Sequence, residues 1–425
     1  MVPPRMRTRC VMASPEAVGE AGVNGRWLAI VGIGEDGIAG LGERARDLIG
    51  RAEIVFGGRR HLALAANLVS GAARAWPSLF DSAVDAVVSC RGKRVCVLAS
   101  GDPFQYGIGP LLASRIPPGE MDVVPAASAF SLAAARLGWS LPDTTLVSLH
   151  GRAIDLIRPH LHAGRRILAL TSDGQAPGEI AWLLTSLGFG GSAMTLLEAL
   201  GGPRERIRRM SVATFALDGI DPLNLVAIEV AAAPDARVIP LSAGVADDLF
   251  EHDGQITKRE IRALTLSSLA PRPGECLWDI GAGSGSVAIE WMLAHPSLKA
   301  IAIEARAERA ERIRRNRAAL GVPGLDVVEG AAPQALAGLA RPDAVFVGGG
   351  ASDPGVLDAA LAALPPAGRL VVNAVTLETE AVLLTRHASI GGDLTRILIE
   401  RASPVGGLTA WRPAMPILQW RWVKP

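Results

Sequence analysis

From Trp27 onward the chain alternates short apolar runs with helix-length amphipathic stretches, the pattern of an α/β protein with largely parallel sheets. The runs "WLAIVGIG", "RVCVLAS", "MDVVPA", "TLVSLHG", "RRILALTS" and "LNLVAIEVA" predict strands, each closed by a small-residue turn. Between Ala231 and Gly244, "AAAPDARVIPLSAG" follows neither a helical nor a strand period and contains two prolines, which marks a domain boundary. A second series follows: "ECLWDIG", "KAIAIEA", "LDVVEGA", "DAVFVGG", "RLVVNAV", "TRILIERA" and "PILQWRW". In the last of these Trp420 and Trp422 alternate with Gln419 and Arg421, as a half-buried strand requires. No internal repeat relates the two series, so the chain reads as a fusion of two α/β domains. The expected division is a disordered leader over 1–25, a first domain over 26–234, a linker over 235–244 and a second domain over 245–425. The leader has the basic start of a signal peptide without the apolar stretch that must follow, and Met12 is an alternative start.

Composition narrows the classes. A chain of 425 residues, 49% of them hydrophobic, is too long for one ordinary core. With 43 Lys and Arg against 42 Asp and Glu, the formal charge of +1 supplies no global field for nucleic acid or an anionic membrane. No apolar run approaches the roughly 20 residues needed to cross a bilayer. Cys10, Cys90, Cys96 and Cys276 lack metal-ligand or paired spacing, so no metal site is expected, and free thiols suit a reducing, cytoplasmic compartment. The basic stretch "RAERAERIRRNRAALG" reads as a solvated helix, with Glu308–Arg312 and Glu311–Arg315 as i,i+4 pairs.

The sharpest chemical signal is "LWDIGAGSG", a buried strand that turns through Gly281, Ala282, Gly283, Ser284 and Gly285 into the helix "SVAIEWMLA". Glycines there permit positive φ and let a ligand touch bare backbone. About 20 residues later, Glu304 ends a second strand, where a carboxylate can take both hydroxyls of a ribose. Together they predict a nucleoside site. A dinucleotide fingerprint needs a further glycine where this chain has Ser286, and the glycines run G-x-G-x-G. With Asp279 two residues before the first glycine, the stretch resembles S-adenosylmethionine enzymes. A nicotinamide enzyme and a glycine turn without a ligand are the competing readings.

The wider motifs identify a family. "DGQITKREIRALTLSSL", "GAAP" at Gly330–Pro333, "PDAVFVGGG" and "GRLVVNAVTLE" resemble, over about Asp247–Trp422, the C15-methylating, decarboxylating domain of cobalamin biosynthesis. In the first half, "AIVGIGEDGIAGLGERARDLIGRAEIVFGGRRHL", "LASGDPFQYGIGPLL" and "VPAASAFSLAAARLGW" resemble the tetrapyrrole methylases, and "GGRRHL" the subset that methylates carbon 5. Broader members of that family have Pro-Gly where this chain has Glu35-Asp36. The chain as a whole resembles the precorrin-6Y C5,15-methyltransferase (decarboxylating) family.

That resemblance implies a two-lobed tetrapyrrole methylase fold followed by a Rossmann-like class I methyltransferase fold with a seven-stranded sheet. It implies S-adenosylmethionine-dependent methylation of precorrin-6Y at carbons 5 and 15 with loss of the ring C acetate carboxyl, two cofactor sites, a tetrapyrrole substrate and a homo-oligomer. In the second half the loop Gly281–Gly285 would hold the methionine moiety, Glu304 the ribose, Ala331 and Ala332 the adenine, and Thr257 would close over the cofactor. In the first half Gly32, Gly34, Gly101, Asp102, Ser128, Ala129 and His150 match cofactor-gripping positions between the lobes. Arg60 and His61, which follow Arg59, and Lys258 are candidates for the carboxylates that fringe a tetrapyrrole, against a solvated turn and a surface lysine. No catalytic residue is named. The sulfonium is already activated, and the macrocycle serves as its own electron sink, leaving the protein at most one acid to supply. The alternative is a methyltransferase for another substrate whose first half is a non-catalytic scaffold.

Overall fold

The computed structural model describes residues 25–77 and 81–425, so the expected leader, with Cys10 and Met12, lies outside them apart from Gly25. Contacts divide the chain into two compact units: one runs to Asp143 and takes in 197–207 and 223–225, and the other holds 144–196, 208–222 and 226–425.

In the first unit, β1 (Leu28–Ile33), β2 (Ile54–Gly57), β3 (Ala72–Ala75), β4 (Val95–Ser100) and β5 (Met121–Val124) form an all-parallel sheet in the order β3-β2-β4-β1-β5. Every residue of β1 is buried, because alternate side chains feed separate cores: Leu28 and Ile30 enter one, Ala29, Val31 and Ile33 the other. A second sheet has the order β6-β7-β10-β8-β9, built from β6 (Thr144–Ser148), β7 (Arg166–Leu170), β8 (Ala193–Glu198), β9 (Arg206–Ser211) and β10 (Asn224–Glu229).

The third sheet lies in the second unit and has seven strands. They are β11 (Cys276–Ile280), β12 (Lys299–Glu304), β13 (Asp326–Glu329), β14 (Ala344–Val347), β15 (Arg369–Ala374), β16 (Asp393–Ile397) and, after a two-stranded ribbon of β17 (Glu400–Val405) and β18 (Leu408–Pro413), β19 (Ile417–Val423). The order is β13-β12-β11-β14-β15-β19-β16, with β19 antiparallel to both its neighbours. Strand order therefore reverses between β11 and β14, the place where an open α/β sheet leaves a crevice at its carboxyl edge.

Three expectations change. The run "TRILIERA" supplies the end of β16 and the start of β17 rather than one strand. Gln419 is only 4% exposed, so β19 is packed on both faces around Trp420 instead of half-buried. On the helix Ala307–Ala319, Arg312 pairs with Asp253 at 3.1 Å and Arg315 with Glu251 at 2.8 Å, not with Glu308 and Glu311 one turn back. An intrahelical surface pair is worth only about 0.3–0.5 kcal/mol, too little to hold these arginines against carboxylates presented by a neighbouring segment.

The stretch 230–246 carries no helix or strand, yet it is seated. Ile239 is 6% exposed and packs with Val245 and Phe250 in the core beneath the seven-stranded sheet. Arg237 N–H donates to the Leu187 carbonyl at 3.0 Å, and the N–H groups of Gly244 and Val245 donate to the Glu290 carboxylate at 2.7 and 2.9 Å.

Candidate functional site

The site starts where β11 ends. The N–H groups of Gly281 and Ala282 donate to the Ile303 carbonyl of β12 at 2.9 and 3.1 Å, which folds the loop back over the sheet edge. Gly281 has φ +70°, and a Cβ there would come within 2.7 Å of the Gly349 carbonyl, so glycine is the residue this crossing accepts. The helix Ser286–Ala294 has no cap from Gly285; Asp279 replaces it, its Oδ2 accepting the Ala288 N–H at 3.0 Å. Asp279 is 1% exposed, and burial, with the Glu304 charge adding to it, pushes its carboxyl up to about 7 against the pull of the Ala288 bond. Its Oδ1 has no hydrogen-bond partner among the described residues.

Glu304 closes the cradle. It is 5% exposed, and its Oε2 accepts the Gly283 N–H at 2.8 Å while Oε1 accepts the Arg306 N–H at 3.0 Å. A carboxylate has about four lone-pair positions, so each oxygen keeps capacity for a further donor. A cavity of about 690 Å³ opens over this carboxylate, a volume in the range of small-molecule sites. The structure brings Thr257, Lys258, Gly281, Ala282, Gly283, Glu304, Ala331 and Ala332 to its wall. Ser284 and Gly285 are not on the wall: Ser284 is buried, and its carbonyl accepts the Asn316 amide at 2.9 Å. A fixed carboxylate for vicinal hydroxyls, bare glycine backbone beside it and this much room fit S-adenosylmethionine.

Several residues of the site escaped sequence reasoning. Gly348, Gly349 and Gly350 line the cavity from the end of β14, and the triple glycine at a strand end was the available signal. Arg262 is fully buried; it bonds Glu290, the Val245 and Thr257 carbonyls and, at 3.1 Å, Asp247, with its guanidinium 4.7 Å from the Phe250 ring. It thereby holds the backbone of Thr257. Asn373, at the end of β15, also lines the cavity.

In the first unit a cavity of about 200 Å³ is lined by Gly32 and Gly34 with Glu35, Ala126 and Ala127, but not by Gly101, Asp102, Ser128 or Ala129. A Cβ on Gly32 would lie 2.6 Å from the Ala126 nitrogen and run into the Gly101 carbonyl, so this glycine is demanded by chain packing as well. The Asp102 Oδ1 accepts the Phe104 N–H at 2.8 Å, and the Ser128 Oγ accepts the Ser131 N–H at 3.2 Å, capping the helix that begins at Ala129. Arg59 begins the helix Arg59–Leu64, so the three basic residues stand on a helix and not in a turn. Arg60 pairs with Glu35, which also faces Arg204 at 3.4 Å, and its Nη2 lies 2.8 Å from His61 Nε2. Burial, then the Arg60 charge, lowers the His61 pKa to about 4. In the second unit, His150 Nδ1 lies 3.0 Å from the Thr171 carbonyl. Among the described residues no group of His, Cys, Asp or Glu is placed to hold a metal ion, and no helix is long and apolar enough to cross a membrane.

The chain is similar to known methyltransferases in both of its halves. Residues 28–216 match the family described as tetrapyrrole (corrin/porphyrin) methylases, and 248–424 match the precorrin methyltransferase domain. The chain is 60% identical over 398 residues to a Sinorhizobium protein named precorrin-6Y C(5,15)-methyltransferase [decarboxylating], covering 94% of this chain and 96% of that one. It is 34% identical over 177 residues, 40% of this chain and 91% of the relative, to a Salmonella typhimurium cobalt-precorrin-6B C(15)-methyltransferase (decarboxylating). The crystal structure of the C-terminal domain of precorrin-6Y C5,15-methyltransferase from Rhodobacter capsulatus matches with 48% identity and a TM-score of 0.42, covering 44% of this chain and all of that one. The chain belongs to the precorrin-6Y C(5,15)-methyltransferase (decarboxylating) family, S-adenosylmethionine-dependent enzymes of cobalamin biosynthesis.

Proposed function

We propose that the chain carries two cofactor sites and divides the reaction between them: residues 26–234 methylate carbon 5 of precorrin-6Y, and residues 245–425 methylate carbon 15 and release the ring C acetate carboxyl as CO₂. The observation that carries the second assignment is the continuous cavity, in which the cradle of Gly281–Gly283 and Glu304 shares its wall with Asn373, Val375, Ile397 and Met415. A donor and an acceptor have room side by side. The division is supported by the match of residues 248–424 to the precorrin methyltransferase domain and by a Salmonella relative, similar to only 40% of this chain, that is named for the C15 step. Work in the cytoplasm, as a homo-oligomer and without nucleic acid or membrane, completes the reading and rests on the resemblance and the balanced charge.

S-adenosylmethionine supplies an activated methyl group, so the residues need do little beyond placement. Glu304, locked by two backbone N–H groups, sets the ribose; the glycine loop sets the methionine end; Thr257, held through its carbonyl by Arg262, covers the cavity. This fixed geometry converts an encounter into an aligned approach and excludes competing water. In the first half, Gly32, Gly34, Gly101, Asp102, Ser128 and Ala129 would hold the second cofactor. Equilibrium dialysis with S-adenosylmethionine tests the reading: two molecules per chain are expected, together with a product carrying two new methyl groups and lacking one CO₂ by mass spectrometry. One molecule per chain would favour a scaffold role for the first half.

A further inference from the structure

The mechanism leaves Asn373 unused. It stands on β15, whose pleat turns it to the same face as Val371, toward the helix Arg259–Leu269. In the β15–β19 register it faces Gln419. Its Nδ2 donates to Thr265 Oγ1 at 2.9 Å and its Oδ1 accepts from Gln419 Nε2 at 2.9 Å; Gln419 Oε1 in turn accepts from Ser268 Oγ at 2.6 Å. Thr265 is fully buried and Gln419 nearly so. Buried polar networks of this kind offer little stability over an apolar core, so their worth lies in orientation. Here the network fixes the plane of one amide at the cavity wall, and the second hydrogen on Asn373 Nδ2 has no partner among the described residues.

Position separates this amide from the cofactor. The ribose carboxylate is on β12, three strands from β15, which places the two about 14 Å apart along the sheet. The cavity wall also holds Val375, Ile397, Met415 and Ile417, and the cations along it are Lys258, Arg306, Arg309 and Arg401, of which Arg306 adjoins the Glu304 carboxylate. A carboxylate that must depart as CO₂ is poorly served by an ion pair, which stabilises the charge before it disperses and is lost afterwards. A neutral N–H can orient it without that cost, aligning the breaking carbon–carbon bond with the ring π system.

Resting on the reading given under Proposed function, we propose that Asn373 is a substrate-binding residue of the C15 site, donating its free Nδ2 hydrogen to the acetate carboxylate that is lost. Gln419 acts through it as a positioning residue. In the full chain, Asn373→Ala is expected to lower kcat/KM for precorrin-6Y, read as CO₂ release, by about 10- to 100-fold, a loss of one oriented bond to charge. Its Kd for S-adenosylhomocysteine stays within twofold of the parent. Asn373→Asp, of the same shape but repelling a carboxylate, falls further than Asn373→Ala, while Gln419→Leu gives an intermediate loss. Asn373→Ser, which keeps a polar partner for Thr265, covers the case in which the alanine variant fails to fold, and is expected to lose CO₂ release similarly. Asn373→Asp matching or exceeding Asn373→Ala would overturn the assignment, as would variants with parental turnover or a parallel loss of cofactor affinity. If the parent chain binds cofactor but neither methylates nor decarboxylates precorrin-6Y, the functional reading itself fails and this assignment with it.

Discussion

Glu304→Gln is the most direct perturbation of the second-half site, because it preserves volume and removes only charge and two acceptor directions. In the native site both carboxylate oxygens are engaged by backbone N–H groups, Gly283 at 2.8 Å and Arg306 at 3.0 Å, and the side chain is 5% exposed. A glutamine can satisfy one of those donors; its amide nitrogen must face the other, leaving an N–H against an N–H. Toward the ribose, one charge-assisted hydrogen bond disappears and the remaining one weakens. Bonds to a charged partner are worth about 1.5–3 kcal/mol, which converts to a loss of affinity of about 10- to 150-fold. Isothermal titration of the full chain with S-adenosylhomocysteine reads this directly, with the melting temperature as the control for folding. Two binding events are expected in the parent and one unperturbed event in the variant. An affinity within threefold of the parent in both events would refute the role of this carboxylate, and loss of both events in a folded protein would refute the independence of the two sites.

Four other outcomes are expected. Asp102→Ala removes methylation at carbon 5 while leaving CO₂ release and the carbon 15 methyl intact, as mass spectrometry of the product would show. A fragment beginning near Asp235 folds and releases labelled CO₂, whereas one beginning at Val245 is less stable by about 1.5–3 kcal/mol in denaturant titration, because it forfeits the burial of Ile239 and the Gly244–Glu290 bond; equal stability would count against the seating of that stretch. Asp279 has its pKa raised from 3.8 to about 7, so folding takes up a proton there: its stabilising contribution is complete below about pH 4 and is lost as pH rises through 7. The melting temperature of the ligand-free parent should therefore fall relative to Asp279→Asn between pH 5 and 8, and parallel curves would refute it. Arg262→Met strands the buried Glu290 carboxylate and is expected to cost about 3–5 kcal/mol in urea unfolding.

What the sequence determined by itself was what short-range pattern can carry. The run through Ile280 into Gly281–Gly285, with Glu304 at the next strand end, declared a nucleoside cradle because strand, turn and carboxylate are local features with a known spacing. The seven apolar runs after Gly244 declared the strand content for the same reason, although "TRILIERA" concealed a break between two strands. Only the tertiary structure decided which distant polar groups meet. Arg312 and Arg315 found carboxylates about 60 positions away rather than one helical turn away, since packing a segment against a helix costs nothing that sequence separation records. Arg262 carries no local mark that sets it apart from the other charges of its helix, and the fold encloses it with Glu290. Gln419 read as an outward residue by its alternation with Trp420, yet a helix covers that face, and the amide lies where it can set Asn373. Periodicity reports which face a side chain takes; what covers that face is a property of elements more than 100 residues apart, and it is decided by how the sheet closes around its cores.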